Sequence, residues 1–281
     1  MNYQVIDSLQ GVRATLNYLV RTEKKPYSYT FEPPPGVPAR FGEVNAVNDV
    51  LIRDARPIAG LLSLDEQGFV HRRHESRVYD FYNEDELRRV YYPEIEALLK
   101  RETGGDKVVI FDHTIRSVPK FKAGVAGMRD PVRRVHNDYT DATGRRRVAD
   151  HLEPAEAEER LKHRFVEVNV WRPIKGPLED TPLAVLDART VEPGDLIPSD
   201  LIYPDKVGET YAVSHNPEHR WFYFPRLQRD EVVLIKGFDS DTSSRSRFTP
   251  HTGFDDPTTP PTALPRESIE VRALVFFPPG A

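Results

Sequence analysis

His136 and Asp138 stand two positions apart in Val135-His136-Asn137-Asp138-Tyr139. On an extended segment side chains alternate, so the imidazole and the carboxylate face the same way and Asn137 faces the other. The pair supplies most of a 2-His-1-carboxylate triad for a mononuclear non-haem iron, whose remaining ligand is a distant histidine. The downstream candidates are His151, His163, His215, His219 and His251. His151 and His163 flank a strongly charged stretch and read as exposed. His215 and His219 occupy a polar turn before an aromatic strand, and His219 is the runner-up. His251 fits best. It follows the buried-strand run Val232-Val233-Leu234-Ile235 and precedes a last strand that carries Arg266 and Arg272. Arginine there suits a dicarboxylate, because its planar fork binds carboxylate bidentately and stays charged. The even spacing of Arg266, Ser268 and Arg272 puts all three on one face of a continuous strand.

The elements that must position these groups read as short strands. From residue 107 they run Lys107 to Asp112, Arg134 to Tyr139, Phe165 to Arg172, Leu183 to Asp187, Trp221 to Phe224, Glu231 to Gly237 and Ser268 to Phe277. Short strands with turn signals between them predict a mainly β domain, a sandwich or jelly roll. The best helix spans 84 to 100. Asn83 and Glu86 resemble a capping box, Leu87, Val90, Tyr91, Ile95, Leu98 and Leu99 form one apolar stripe, Pro93 kinks or restarts it, and Thr103-Gly104-Gly105 ends it. A second helix is expected over Pro154 to Lys162. Residues 1–80, with the stiff Pro33-Pro34-Pro35 connector and candidate strands Val12 to Val20 and Phe69 to Val78, read as an arm or lid. The organisation expected is a single domain over 1–281: the arm to residue 80, a support helix over 81–105, and a β core over 106–281. The loops 141–150 and 239–250 are further lid candidates.

Composition narrows the function. The chain has 281 residues and no cysteine. Disulfides, thiolate nucleophiles and sulfur-ligated zinc are excluded, and a metal must be held by His, Asp, Glu or water. That ligand set suits a reducing cytosol, and a cytoplasmic protein is expected. A net charge of -5 gives no global case for nucleic acid or anionic membrane. The clusters Arg133-Arg134 and Arg145-Arg146-Arg147 read as solvated loop charge. No run approaches the roughly 18 apolar residues of a spanning helix, and the first residues lack the pattern of a signal peptide. The partner expected is a small-molecule substrate; a homo-oligomer is left open.

Several blocks in fixed order now carry a resemblance. They are Ile110 to Arg116, Val135 to Thr140, Val168 to Pro173, Phe238-Asp239-Ser240, Pro250 to Pro257 and Arg266 to Arg272. Together they resemble the iron(II)/2-oxoglutarate-dependent oxygenases, in particular the fungal and bacterial hydroxylase/desaturase family named for gibberellin desaturase and cephamycin biosynthesis. There is a looser similarity to phytanoyl-CoA hydroxylases. The resemblance covers the chain from about residue 80 to its end. It implies a cupin-like double-stranded β-helix with a few supporting helices. It also implies iron ligation by His136, Asp138 and His251, with 2-oxoglutarate and O₂ as co-substrates. It places Arg266 at the carboxylate-binding position, with Arg272 as the alternative and Ser268 as an added donor. Arg172 is expected to join the co-substrate site and Arg116 to line the pocket, while His113 reads either as a ligand contact or as a packed core histidine. Trp171, Trp221, Tyr139, Tyr223 and Phe254 are read as an apolar wall or as core. The implied reaction is hydroxylation or desaturation of a small specialised metabolite. Alternatives are an iron oxidase or isomerase that does not use 2-oxoglutarate, and a cupin-like binding protein.

Overall fold

The computed structural model describes residues 5–6, 8–244 and 246–280. Its strands are β1 (Gly11–Leu19), β2 (Tyr27–Tyr29), β3 (Arg40–Phe41), β4 (Val44–Asp54), β5 (Phe69–Arg73), β6 (Lys107–Ser117), β7 (His136–Asn137), β8 (Phe165–Pro173), β9 (Leu183–Leu186), β10 (Leu196–Ile202), β11 (Val207–Val213), β12 (Trp221–Tyr223), β13 (Glu231–Asp239), β14 (His251–Gly253) and β15 (Glu267–Phe276). They form a curled ten-stranded sheet ordered β1-β4-β12-β9-β14-β7-β11-β10-β2-β3 and a five-stranded sheet ordered β5-β13-β8-β15-β6. The mainly β, jelly-roll expectation is met.

Strands β8 and β15 are the spine of the smaller sheet. They pair antiparallel with Arg272 opposite Asn169 and Glu270 opposite Trp171. Alternation therefore sends Asn169, Trp171, Ser268, Glu270 and Arg272 to one face, while Val168, Val170, Ile269 and Val271 go to the other, where they join the main hydrophobic core. The helix α1 (Tyr92–Thr103) seals that far face with Ile95, Leu98 and Leu99, all fully buried. Each such side chain contributes about 1.5–3 kcal/mol.

Pro93 sits in the first turn of α1, directly after a π-helical turn over Leu87–Tyr91, so the proline restarts the helix. Asn83 accepts from Glu86 N at 3.1 Å, but the Glu86 carboxylate caps Tyr79 N and Asp80 N instead of Asn83, so only half of the capping box forms. Gly104 closes α1 at φ 77°.

Residues 1–80 supply β1 to β5, and β1 and β4 form an antiparallel pair at one edge of the large sheet. The stretch is woven into both sheets because Ala14, Leu16, Tyr18 and Ile52 bury against the back of the large sheet. The segment 141–150, expected as a loop, lies within the helix α2 (Asp141–His151). Thr140 Oγ1 accepts from Thr143 N at 3.2 Å and Thr143 Oγ1 accepts from Thr140 N at 2.9 Å, a reciprocal cap. Gly144 lets α2 press onto the Phe238 ring, which a Cβ would meet at 2.7 Å. The helix over 154–162 is present as α3 (Pro154–Arg160). In loop 239–250, of which residue 245 lies outside the described residues, Arg247 is pinned over Phe248 and bonded to Asp141.

Candidate metal centre

Between the two sheets, one ligand atom from each of His136, Asp138 and His251 lies within 4.8 Å of the others. The register does this. His136 and His251 are directly opposed across β7 and β14, with ring centroids 4.7 Å apart. Each ring is fixed by a backbone carbonyl two residues back: His136 Nδ1 lies 2.8 Å from Arg134 O and His251 Nδ1 3.2 Å from Thr249 O. A carbonyl can only accept, so each Nδ1 carries the proton and each Nε2 keeps its lone pair for a metal. His136 Nε2 is 3.4 Å from Asp138 Oδ1.

The electrostatics suit the same role. Burial lowers the His251 pKa, and the neighbouring His136 lowers it further, which favours the neutral imidazole a metal requires. Burial opposes ionisation of Asp138. The adjoining His136 imidazole and the charge of Arg272 outweigh it and hold the carboxyl well below the usual range. Two neutral nitrogens and one carboxylate, oriented from behind, form a donor set that fits Fe(II).

The support behind Asp138 comes from the smaller sheet. Asn169 Nδ2 donates to Asp138 Oδ2 at 2.8 Å and to Glu270 Oε1 at 2.7 Å, and Asn169 Oδ1 accepts from Tyr139 Oη at 2.8 Å. The signal for Asn169 was a lone amide inside the apolar run Val168-Asn169-Val170-Trp171. Glu167, two residues earlier on the same face, is fully buried with neither carboxylate oxygen partnered among the described residues. Burial holds it well above the usual carboxylate range, so it persists as a neutral acid. Asn137 faces away from the triad: Nδ2 donates to Gly237 O at 2.9 Å and Oδ1 accepts from Thr249 N at 3.1 Å, which ties β7 to β13.

The two arginines of the last strand differ. Arg272 grips Asp112 with Nε–Oδ1 at 2.6 Å and Nη2–Oδ2 at 3.1 Å, donates to Thr114 Oγ1, and stands 3.5 Å from Asp138 Oδ2. Its fork is spent on protein carboxylates. The Arg266 guanidinium has neutral hydrogen-bond partners only among the described residues: Nε donates to Ser268 Oγ and Nη1 to Thr181 O, both at 3.0 Å. Its guanidinium lies 4.9 Å from the Trp171 ring centroid. Gly253, on the strand that bears His251, makes room for it; a Cβ there would meet Arg266 Nη1 at 3.3 Å. Burial and the nearby Arg116 push the Arg266 pKa down to about 9, more than the charges of Glu270 and Asp180 restore. Arg116 is opposite Ser268 on β6 and donates to Asp130 O at 2.8 Å, at the same end of the strand as Arg266.

Other expected site residues lie elsewhere. Arg172 points to the far face of the small sheet, between the rings of Phe81 and Tyr91, and donates to His74 O, so it does not reach the triad. The parity of β8 explains this, since Asn169 and Trp171 take the inner face. His113 also faces outward, bonded to Tyr92 Oη at 2.8 Å. His219 is buried in the back core between Tyr18 Oη and Asp195 Oδ2, each at 3.2 Å. Trp221, Tyr223 and Phe254 belong to that same back core. Of the expected apolar wall, Trp171 lies beside Arg266, and Tyr139 stands behind Asp138, joined to it through Asn169.

Comparison with known proteins agrees with this geometry. A family model described as "Oxidoreductase/YMDC permease-like domain" matches residues 16–276. Among the described residues, no helix is long and apolar enough to cross a membrane. The chain is 36% identical over 234 residues to the "Fe(II)/2-oxoglutarate-dependent dioxygenase nvfI" of Aspergillus novofumigatus, covering 81% of this chain and 82% of that protein. It is 34% identical over 250 residues to the "Hydroxylase/desaturase efuI" of Hormonema carpetanum, covering 81% and 83%. The solved structure of an "iron and alpha-ketoglutarate-dependent endoperoxidase NvfI" matches with a TM-score of 0.86 at 30% identity, over 94% of this chain and 97% of that one. The chain belongs to the Fe(II)/2-oxoglutarate-dependent dioxygenase family that contains these hydroxylases/desaturases.

Proposed function

We propose that this oxidoreductase hydroxylates or desaturates a small specialised metabolite, with His136, Asp138 and His251 holding Fe(II) and Arg266 holding 2-oxoglutarate. The observation that carries the reading is the cluster of three ligand atoms within 4.8 Å, both imidazoles anchored through Nδ1. Iron and 2-oxoglutarate together would supply the oxidising power to activate O₂. The chain's own share is different. His136, Asp138 and His251 present three donors from one side. Asn169 fixes the Asp138 carboxylate. Arg266 with Ser268 offers a dicarboxylate its unspent donors, and Trp171 shields that end of the chamber from water. Arg266 is favoured over Arg272 because recruiting Arg272 would break its contacts with Asp112 and Asp138.

Anaerobic protein mixed with Fe(II) and 2-oxoglutarate should develop the visible charge-transfer band of the chelate. Asp138→Ala and His251→Ala should abolish it, and His219→Ala should keep it. A band that survives His251→Ala and vanishes in His219→Ala would overturn the ligand set. The reading extends to a cytoplasmic address, supported by the cysteine-free chain and its oxygen- and nitrogen-only donor set.

A further inference from the structure

The face of the large sheet that carries His136 continues well past the metal ligands. Directly opposed residues on neighbouring strands share a face. The register passes from His136 to Ala212 and Ile197, from Thr210 to Ser199, and from Gly208 to Leu201, Ser28 and Arg40. Arg134 joins this face from its own strand: it stands two residues before His136, while Val135 between them is buried in the back core. An independent contact agrees, since Arg134 Nη2 donates to Ser28 Oγ at 3.3 Å. The result is a track of Ala212, Ile197 and Leu201 with the hydroxyls of Thr210, Ser199 and Ser28, in which Ala212, Ser199 and Ser28 are buried and Ile197, Leu201 and Thr210 half-buried. It starts at an iron ligand and ends at two arginines.

The charges on the track are one-sided. The carboxylates of β10 and β11, Asp200 and Glu209, alternate to the opposite face and are taken by Lys25 at 2.5 and 2.6 Å. Among the described residues neither Arg134 nor Arg40 has a carboxylate partner, and the only hydrogen bond from Arg134 goes to a hydroxyl. A guanidinium in a half-buried groove, held by one neutral oxygen and beside a second cation, has donors left for an anion.

We propose that Arg134, assisted by Arg40, anchors an anionic group of the substrate, so that the substrate is an apolar small molecule bearing a carboxylate or phosphate. The proposal rests on the functional reading above, since it takes the His136 face as the substrate side. Arg134 is a binding residue in this scheme and sets which part of the scaffold lies over the metal. Two residues of extended chain separate its Cα from that of His136 by about 6.6 Å.

The test uses three probes on the full chain loaded with Mn(II) and saturating 2-oxoglutarate, which occupies Arg266. They are 2-naphthoate, 2-naphthyl phosphate and the neutral methyl 2-naphthoate. Binding is read from the paramagnetic relaxation of probe protons. At least one anionic probe should bind about tenfold more tightly than the ester, a difference near 1.4 kcal/mol, and the two anions separate carboxylate from phosphate. Arg134→Gln should bring that probe down to the ester's level, and Arg134→Lys should restore most of the difference. Arg40→Gln, at an exposed position, should give a smaller loss and serves where Arg134→Gln fails to fold. Equal binding of anions and ester, absence of anion binding, or an anion preference untouched in both glutamine variants would overturn the proposal. If wild-type protein forms no Fe(II)·2-oxoglutarate band, the functional reading itself fails. If the band forms and the probes do not discriminate, only the anchor fails.

Discussion

Arg266 and Arg272 lie on one face of one strand, and their surroundings divide the work between them. Arg272 is bound to the carboxylates of Asp112 and Asp138, and Arg266 keeps donors unspent. Arg266→Gln should therefore weaken 2-oxoglutarate binding by tenfold or more, about 1.4 kcal/mol or above, with iron affinity retained. Arg272→Gln should loosen iron and lower the melting temperature. Its cost should fall below the roughly 3–5 kcal/mol of a fully buried broken pair, because Asp112 is partly exposed. Separate titrations of iron and of 2-oxoglutarate distinguish the two variants, and the reverse pattern would exchange the assignments. The sequence could not separate these arginines, because period-two alternation treats them alike. The difference is made by Asp112 on a strand distant in sequence. Arg172 failed for a related reason: its parity opposite to Asn169 and Trp171 was readable, but which face held the chamber was not.

At the scale of elements, the site depends on how closely β13 approaches the segment after β7. Gly237 permits this, since a Cβ there would lie 2.7 Å from the Tyr139 ring. Tyr139 bonds Asn169, and Asn169 bonds Asp138. Gly237→Ala should displace Tyr139 and cost about 1–3 kcal/mol of stability. It should also weaken iron binding without altering any ligand, which a calorimetric Fe(II) titration can measure; unchanged affinity would disconnect the chain of contacts. The strands that were legible, β6, β8, β9, β12, β13 and β15, carry compact apolar runs. Those that were missed carry mixed signals. In β4 only Ile52 is buried, and Asp49 at φ 60° interrupts its pairing with β1. In β10, Pro198 argues against a strand. The β10–β11 hairpin had a usable cue in the Pro204-Asp205 turn between two β-branched stretches.

For the whole molecule, the histidines make folding sensitive to acid. Burial depresses the pKa of six of the nine, His71, His74, His113, His151, His219 and His251. A depressed pKa means that the unfolded chain takes up protons first, so their contribution is complete above about 6.5 and is lost as pH falls through the folded values. Glu167 acts in the opposite sense. Its pKa is raised from 4.5, so folding favours its protonated form and stability declines as pH rises above the unfolded value. The melting temperature of metal-free protein should fall from pH 7 to 5. At pH 8, Glu167→Gln should melt above wild type, with the gap closing toward pH 5. A flat profile in calorimetry, or a Glu167→Gln variant that melts lower at pH 8, would refute this. The two-sheet architecture was visible in the strand pattern. The participation of the first 80 residues was not, because the core that β1 joins is completed by side chains far along the chain, such as Val135, Val213 and Trp221.

The opposition of His136 and His251 carries a consequence for the apo protein. β7 has two residues and β14 three, and a single register position joins them. So short a seam has little backbone pairing of its own. A metal gripped from both sides would act as a clasp that fastens one half of the barrel to the other. Amide protons of residues 136–137 and 251–253 should exchange with solvent distinctly faster in the metal-free chain than in the loaded one. Those of the β8–β15 spine should barely respond. Iron would then decide when this part of the fold is closed, as well as what chemistry it performs.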